Sequence, residues 1–318
     1  MIMQEGRLYA LWNITRACNF RCKYCCSSSK NMHSRPVDAQ KLCKVLGEHS
    51  KKCTVHMSGG EPFIYPGFIG ICRELTKEFQ IKINSNLSLN AQVREFSNTV
   101  NPDKVDLIHA TFHIEETKRL GNINDFIENV LLLKKRGFKL LVRSVLHPTL
   151  IERFQRDRKY FDSRGIKLVP KPFKGIYLGK LYPKAYSDSV KNFFLNNVSS
   201  STFYPYCFKG INCMAGKAFI HIDANGVITR CVDDFVVLGD IYDGFKLIDT
   251  ATPCRSYRCN CFGYDLIEKP PFGKYKTNYN LFYQILSYVK YMSIKLLLSR
   301  VRYYLHKKFQ ETYKTGTS

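Results

Sequence analysis

The sequence predicts an α/β protein: a partial (βα)6 TIM-like barrel, then a small C-terminal cysteine-rich domain and a basic amphipathic helical tail. Three observations carry that expectation. Six short β-rich runs lie between residues 8 and 171, helical patterns separate them, and after about residue 200 the chain turns cysteine-rich with a hairpin signature.

The runs are 8–14, 54–58, 80–84, 107–112, 139–145 and 167–171. Among the intervening stretches, 37–49 begins after Pro36, and 68–79 places Phe68, Cys72, Leu75 and Phe79 on one face. The stretch 125–136 stops at Gly137, a residue suited to the left-handed turn that ends a helix. Each helical crossover must return over the sheet, so the strands run parallel. A partial barrel and an open doubly wound sheet both satisfy this order. In either, ligands meet the C-terminal ends of the strands. Beyond residue 200, 217–223 and 227–231 read as a hairpin turned by Asn225-Gly226. The expected domains are 1–200, 201–268 and 269–318.

A chain of 318 residues with 45% hydrophobic content is long enough to bury a sizeable core, so disorder is not the default expectation. The N-terminal residues lack a secretory pattern, so a cytoplasmic location is expected. In such a compartment 13 cysteines point to metal or redox chemistry rather than to disulfides. The formal net charge of +23 favours anionic partners.

The first cysteine group is Cys18-x3-Cys22-x2-Cys25, directly after the first strand. Three thiolates on one loop leave a four-iron cluster with one open iron, the arrangement of a catalytic site rather than a simple electron carrier. Cys26 is a minor candidate for a fourth ligand. A zinc site is the blander alternative, but it normally pairs two C-x2-4-C knuckles, and no second knuckle lies nearby.

Cys18-Asn19-Phe20-Arg21-Cys22-Lys23-Tyr24-Cys25 resembles the CxxxCxxC signature of radical S-adenosylmethionine (radical SAM) enzymes, including the aromatic residue at Tyr24. Ser58-Gly59-Gly60-Glu61-Pro62, after the second strand, resembles that family's GGEP motif, which receives the amino group of the cofactor methionine. Alone, Gly59-Gly60 would be an ordinary turn. Asn84-Ser85-Asn86 resembles the Thr-Asn-Gly motif that borders the cofactor ribose, with Leu87 in place of the glycine. The resemblance further suggests His113, Arg143 and Ser144 as polar residues near the ribose or the methionine carboxylate. His113 is also a weak candidate for acid–base catalysis, although a lone histidine is more often a hydrogen-bonded core or rim residue.

This resemblance implies a 4Fe-4S cluster on Cys18, Cys22 and Cys25. It also implies S-adenosyl-L-methionine (AdoMet) cleaved by one electron to a 5′-deoxyadenosyl radical, and a reductant such as flavodoxin or ferredoxin. The segment from Cys213 through Asn225-Gly226 to Cys231, with Cys254, Cys259 and Cys261, resembles the SPASM or twitch extension, which binds auxiliary 4Fe-4S clusters. One auxiliary cluster is expected, with Cys207 a spare ligand; structural zinc would also suit four cysteines. Cys43, Cys53 and Cys72 read as small hydrophobes.

The segment 171–186 interleaves Phe173, Tyr177, Tyr182 and Tyr186 with Lys174 and Lys180, suited to lining the mouth or to packing as a linker. A small polar substrate, possibly anionic in the manner of a sugar phosphate or nucleotide sugar, is the expected partner, and an oxidoreductase-type reaction the expected chemistry. A peptide- or protein-modifying enzyme is the alternative, disfavoured because no extra N-terminal recognition module precedes the first strand. A non-catalytic zinc or iron–sulfur protein that binds nucleic acid is the alternative from another class, and nucleic acid is the less favoured partner. The tail 279–308, with Lys290, Lys295, Arg300, Arg302, Lys307 and Lys308, reads as basic amphipathic helix. It would dock on its own protein or lie on the inner face of a membrane.

Overall fold

The computed structural model describes residues 6–25, 36–197, 208–256 and 259. Cys26, Cys207, Cys261 and the basic tail lie outside the described residues. The described residues divide into two compact units, the larger containing 6–25, 36–197 and 222–226 and the smaller containing 208–221, 227–256 and 259.

In the larger unit, β1 (Arg7–Thr15), β2 (Lys52–Gly59), β3 (Gln80–Ser85), β4 (Val105–Phe112), β5 (Leu140–Leu146) and β6 (Val169–Pro172) lie side by side in sequence order. Every neighbouring pair is parallel. The connecting helices are α1 (Ala39–Gly47), α2 (Phe68–Glu78), α3 (Asn90–Thr99), α4 (Ile114–Arg119), α5 (Ile123–Lys135) and α6 (Ile151–Asp162). This is a mostly parallel α/β sheet with the strand order expected of a partial barrel.

Local chemistry sets the element ends. Asp38 accepts from the backbone N–H groups of Gln40 (2.9 Å) and Lys41 (3.1 Å), capping α1. Gly137 adopts φ +90° just beyond α5 and closes it. Side chains alternate along each strand, so one face of the sheet meets the helices. On that face Phe112 packs against Phe126 of α5 (ring centroids 5.2 Å) and Phe161 of α6 (4.7 Å). Cys43, Cys53 and Cys72 are buried in this layer as apolar filling.

The segment after β6 forms a short hairpin, β7 (Gly175–Tyr177) and β8 (Lys180–Tyr182), and then α7 (Asp188–Leu195). Phe173, Tyr182 and Tyr186 are buried, so most of the aromatic side of 171–186 is core. Tyr186 donates to the Leu146 carbonyl and accepts from the Phe173 N–H (3.0 Å), tying the segment to β5.

In the smaller unit, β9 (Asn212–Cys213) pairs antiparallel with β14 (Thr252–Pro253). The hairpin expected around Asn225-Gly226 is present as β10 (Phe219–Ile222) and β11 (Val227–Thr229), the Gly226 N–H donating to the Asp223 carbonyl at 2.9 Å. β12 (Val237–Asp240) and β13 (Gly244–Phe245) continue it antiparallel. No helix among the described residues is long and apolar enough to cross a membrane.

Candidate active site

Cys18, Cys22 and Cys25 occupy one loop at the C-terminal end of β1. A turn closes it, the Cys25 N–H donating to the Cys22 carbonyl at 3.1 Å. Cys18 and Cys22 are half-buried and Cys25 is exposed. The loop is held from two sides. The Arg21 N–H donates to Glu116 of α4 (2.7 Å), while Asn19 bonds Ser88 (2.8 Å) and Asn86 (3.0 Å) in the loop after β3. A loop pinned this way keeps its thiols in place without a ligand.

Gly59 and Gly60 lie beneath it. The Gly60 N–H donates to the Thr15 carbonyl (2.7 Å) and the Glu61 N–H to the Ala17 carbonyl (2.9 Å). A Cβ on Gly60 would fall 1.8 Å from the Ala17 oxygen, and one on Gly59 2.1 Å from the Thr15 oxygen. The two glycines therefore exist for backbone-to-backbone contact with the start of the cysteine loop.

Glu61 is buried, its carboxylate accepting from Ser85 Oγ (2.8 Å), the Asn86 N–H (2.7 Å) and the Phe63 N–H (3.2 Å). Burial pushes it up to about 7 against the opposing pull of those bonds. Pro62 opens a single 3-10 turn directly behind it. Ser85 and Asn86 are thus partners of Glu61, and Leu87 follows at φ +48°, left-handed backbone where the resembled motif has glycine.

Tyr24 stacks on His113 at the end of β4 (centroids 5.8 Å) and on His147 at the end of β5 (5.7 Å). Its hydroxyl lies 3.1 Å from His113 Nδ1. Burial raises the Tyr24 phenol above its ordinary range and lowers His113 to about 4, so near neutrality both are uncharged. Tyr24 then donates, and His113 Nδ1 accepts with its proton on Nε2.

Arg143 and Ser144 do not converge. Ser144 is opposite Phe112 in the ladder, on the helix-facing side. Arg143 points to the other face, where it donates to Asn84 Oδ1 (3.2 Å), and Asn84 donates to Ser58 Oγ (3.0 Å).

In the smaller unit Cys213, Cys231, Cys254 and Cys259 are described. Burial pushes Cys213 up to about 11 and Cys254 to about 12, with smaller contributions from the neighbouring thiols, so the four share one neighbourhood. Sequence reasoning missed its organiser. Arg230, buried, donates to the carbonyls of Ala215 (2.9 Å), Cys213 (3.4 Å), Thr252 (2.6 Å) and Pro253 (3.1 Å). It also pairs with buried Asp234 (2.7 Å), which holds Arg255 at 2.5 Å.

Among the described residues, no three His, Cys, Asp or Glu side chains are close enough to hold one metal ion. The soft thiol donors nevertheless fit iron–sulfur chemistry, in which a cluster's bulk spreads its ligands further apart than a single ion would.

Residues 12–159 match the Radical SAM superfamily model. The fold is similar to native anSMEcpe with bound AdoMet and Cp18Cys peptide (TM-score 0.54, 18% identity, 75% of this chain and 78% of that one). It is also similar to Streptococcus suis SuiB bound to S-adenosylmethionine (0.50, 13%, 71% and 60%) and to SuiB bound to precursor peptide SuiA (0.51, 12%, 72% and 60%). No curated protein matches the chain.

Proposed function

We propose that this chain is a radical SAM enzyme whose cluster is held by Cys18, Cys22 and Cys25, and that it abstracts hydrogen from a small polar substrate. The observation that carries the reading is the pinned three-cysteine loop seated on Gly59-Gly60. When bound, the cluster and AdoMet supply one-electron cleavage to a 5′-deoxyadenosyl radical.

The chain's own residues fix that chemistry in place. Glu61 locks the end of β3 to the end of β2, and Asn86 and Asn19 carry this order into the cysteine loop. Because protein donors engage both oxygens of Glu61, the methionine amino group falls to the backbone around Gly59 and Gly60. Tyr24, His113 and His147 form a three-ring wall beside the loop. Asn86, Ser85 and His113 remain the candidates for the ribose, and Arg143 for the carboxylate. Ser144, on the opposite face, leaves that set.

For the second site we favour one auxiliary 4Fe-4S cluster on Cys213, Cys231, Cys254 and Cys259, with Cys261 and Cys207 as alternatives. A peptide-modifying reaction is the second reading, favoured by likeness to proteins solved with peptides.

Anaerobic protein with dithionite and AdoMet should release 5′-deoxyadenosine, and changing Cys18, Cys22 or Cys25 to Ala should abolish it. Equal release from the three variants would refute the reading. No release from iron-loaded wild type would favour the nucleic-acid-binding alternative.

A further inference from the structure

In the larger unit, the end of the sheet opposite the cysteine loop is cationic. Helices α5 and α6 both finish there, and the turns that follow them, 136–139 before β5 and 163–167 before β6, enter neighbouring parallel strands. Lys134, in the last turn of α5, reaches the Gly165 carbonyl of the second turn (3.2 Å), so the two turns share one surface. On it Lys134, Lys135, Arg136, Lys139, Arg164 and Lys167 are all exposed.

The fold itself balances little of this charge. None of the six pairs with a carboxylate among the described residues. Asp162, at the end of α6, already holds Arg158 (3.8 Å), and Asp103, on the turn packed beside Gly137, is offset by its neighbour Lys104. Attraction to a helix's carbonyl end accounts for Lys134 and Lys135. It does not account for Arg136, Lys139 and Lys167, because the backbone closes both helix ends unaided. The Gly137 and Phe138 N–H groups donate to the Lys134 and Leu133 carbonyls, and the Gly165 and Ile166 N–H groups to those of Asp162 and Phe161. Arg164 is held with its guanidinium over the Tyr160 ring (3.6 Å to the centroid). Crowded like charges repel, and an anionic surface relieves that repulsion.

We propose that this end of the sheet docks on an anionic phospholipid surface. The exposed residues of the two turns are charged, polar or glycine, while Phe138 and Ile166 are buried. A protein partner needs an apolar anchor at the centre of its contact, which these turns do not offer. Lipid headgroups attract such a patch by charge alone. The sequence of 279–308 interleaves Leu, Ile, Tyr and Phe with cations, which favours lipid over nucleic acid: apolar side chains gain from the headgroup boundary and not from a phosphate backbone. Docking here leaves the cysteine loop, at the other end of the sheet, open to substrate. The inference does not depend on the radical-enzyme reading.

The test is flotation of the full-length chain with phosphatidylcholine vesicles, with and without phosphatidylserine. Binding is expected only where phosphatidylserine is present, fading as salt screens the charges. Arg136→Glu, Lys139→Glu and Lys167→Glu combined, with the basic tail intact, should weaken it at least roughly tenfold. Melting temperature and AdoMet-dependent release of 5′-deoxyadenosine should not change, since the three side chains are exposed and lie away from the cysteine loop. Should that variant fold poorly, the three Gln substitutions carry the test, with a loss of about threefold or more. No binding to phosphatidylserine vesicles, equal binding to both vesicle types, or undiminished binding by the substituted chain overturns the proposal. An RNA oligonucleotide that strips the wild-type chain from the vesicles also overturns it, making nucleic acid the partner. Vesicle binding by a chain that releases no 5′-deoxyadenosine upholds the docking surface and overturns only the enzyme reading.

Discussion

At Glu61 one carboxylate accepts three hydrogen bonds inside the protein, so replacing it tests the join between the second and third strands. Glu61→Gln turns an amide donor toward groups that already donate. It should cost on the order of 1–3 kcal/mol, measured by denaturant unfolding. At Leu87 two effects oppose each other. Glycine would relieve left-handed strain of ~1–2 kcal/mol, but deleting a fully buried leucine costs ~3–5 kcal/mol. Burial wins, and Leu87→Gly should destabilise by about 2 kcal/mol. Titration has a sign here as well. His56, His109 and His113 are lowered to about 4, 2 and 4, so their stabilising contribution is full above 6.5 and is lost as pH falls toward 4. Glu61, raised to about 7, acts oppositely: its contribution is full below 4.5 and is lost as pH rises through 7. Three groups outweigh one, so Tm should fall between pH 7 and pH 5.

The elements show which sequence signals carry physical weight. The six parallel strands β1 to β6 were legible because most are short apolar or β-branched runs, and α1, α2 and α5 because each has a broad apolar stripe. α6 was not. It buries only Phe154 and Phe161 against a charged remainder, too narrow a stripe to register as a period. The β7–β8 hairpin was hidden because its turn uses Leu178 at φ +46° before Gly179, where asparagine or glycine is usual. The cysteine loop and the GG pair were readable as motifs, but not that the glycines serve contact with Thr15 and Ala17. Gly60→Ala should therefore displace the loop, costing on the order of 3 kcal/mol and lowering iron retained after reconstitution. Arg230 was invisible because its role depends on carbonyls brought together from distant segments. Arg230→Gln should remove iron from the second site, about four of eight per chain, while leaving the AdoMet response of the first intact.

Across the whole molecule, an excess of positive charge accompanies two thiol sites, each in its own compact unit. The parallel order of β1 to β6 brings residues from 18 to 147 to one end of a single sheet, which a local sequence pattern alone does not fix. Every assignment at the first site depends on an iron that the three thiols leave open to AdoMet. Electron paramagnetic resonance of the reduced, reconstituted protein addresses this directly, with Cys213 and Cys254 changed to Ala to silence the second site. Adding AdoMet should shift the g-values of the remaining cluster signal. A spectrum unchanged by AdoMet, in protein shown to hold about four irons per chain, would contradict the open iron.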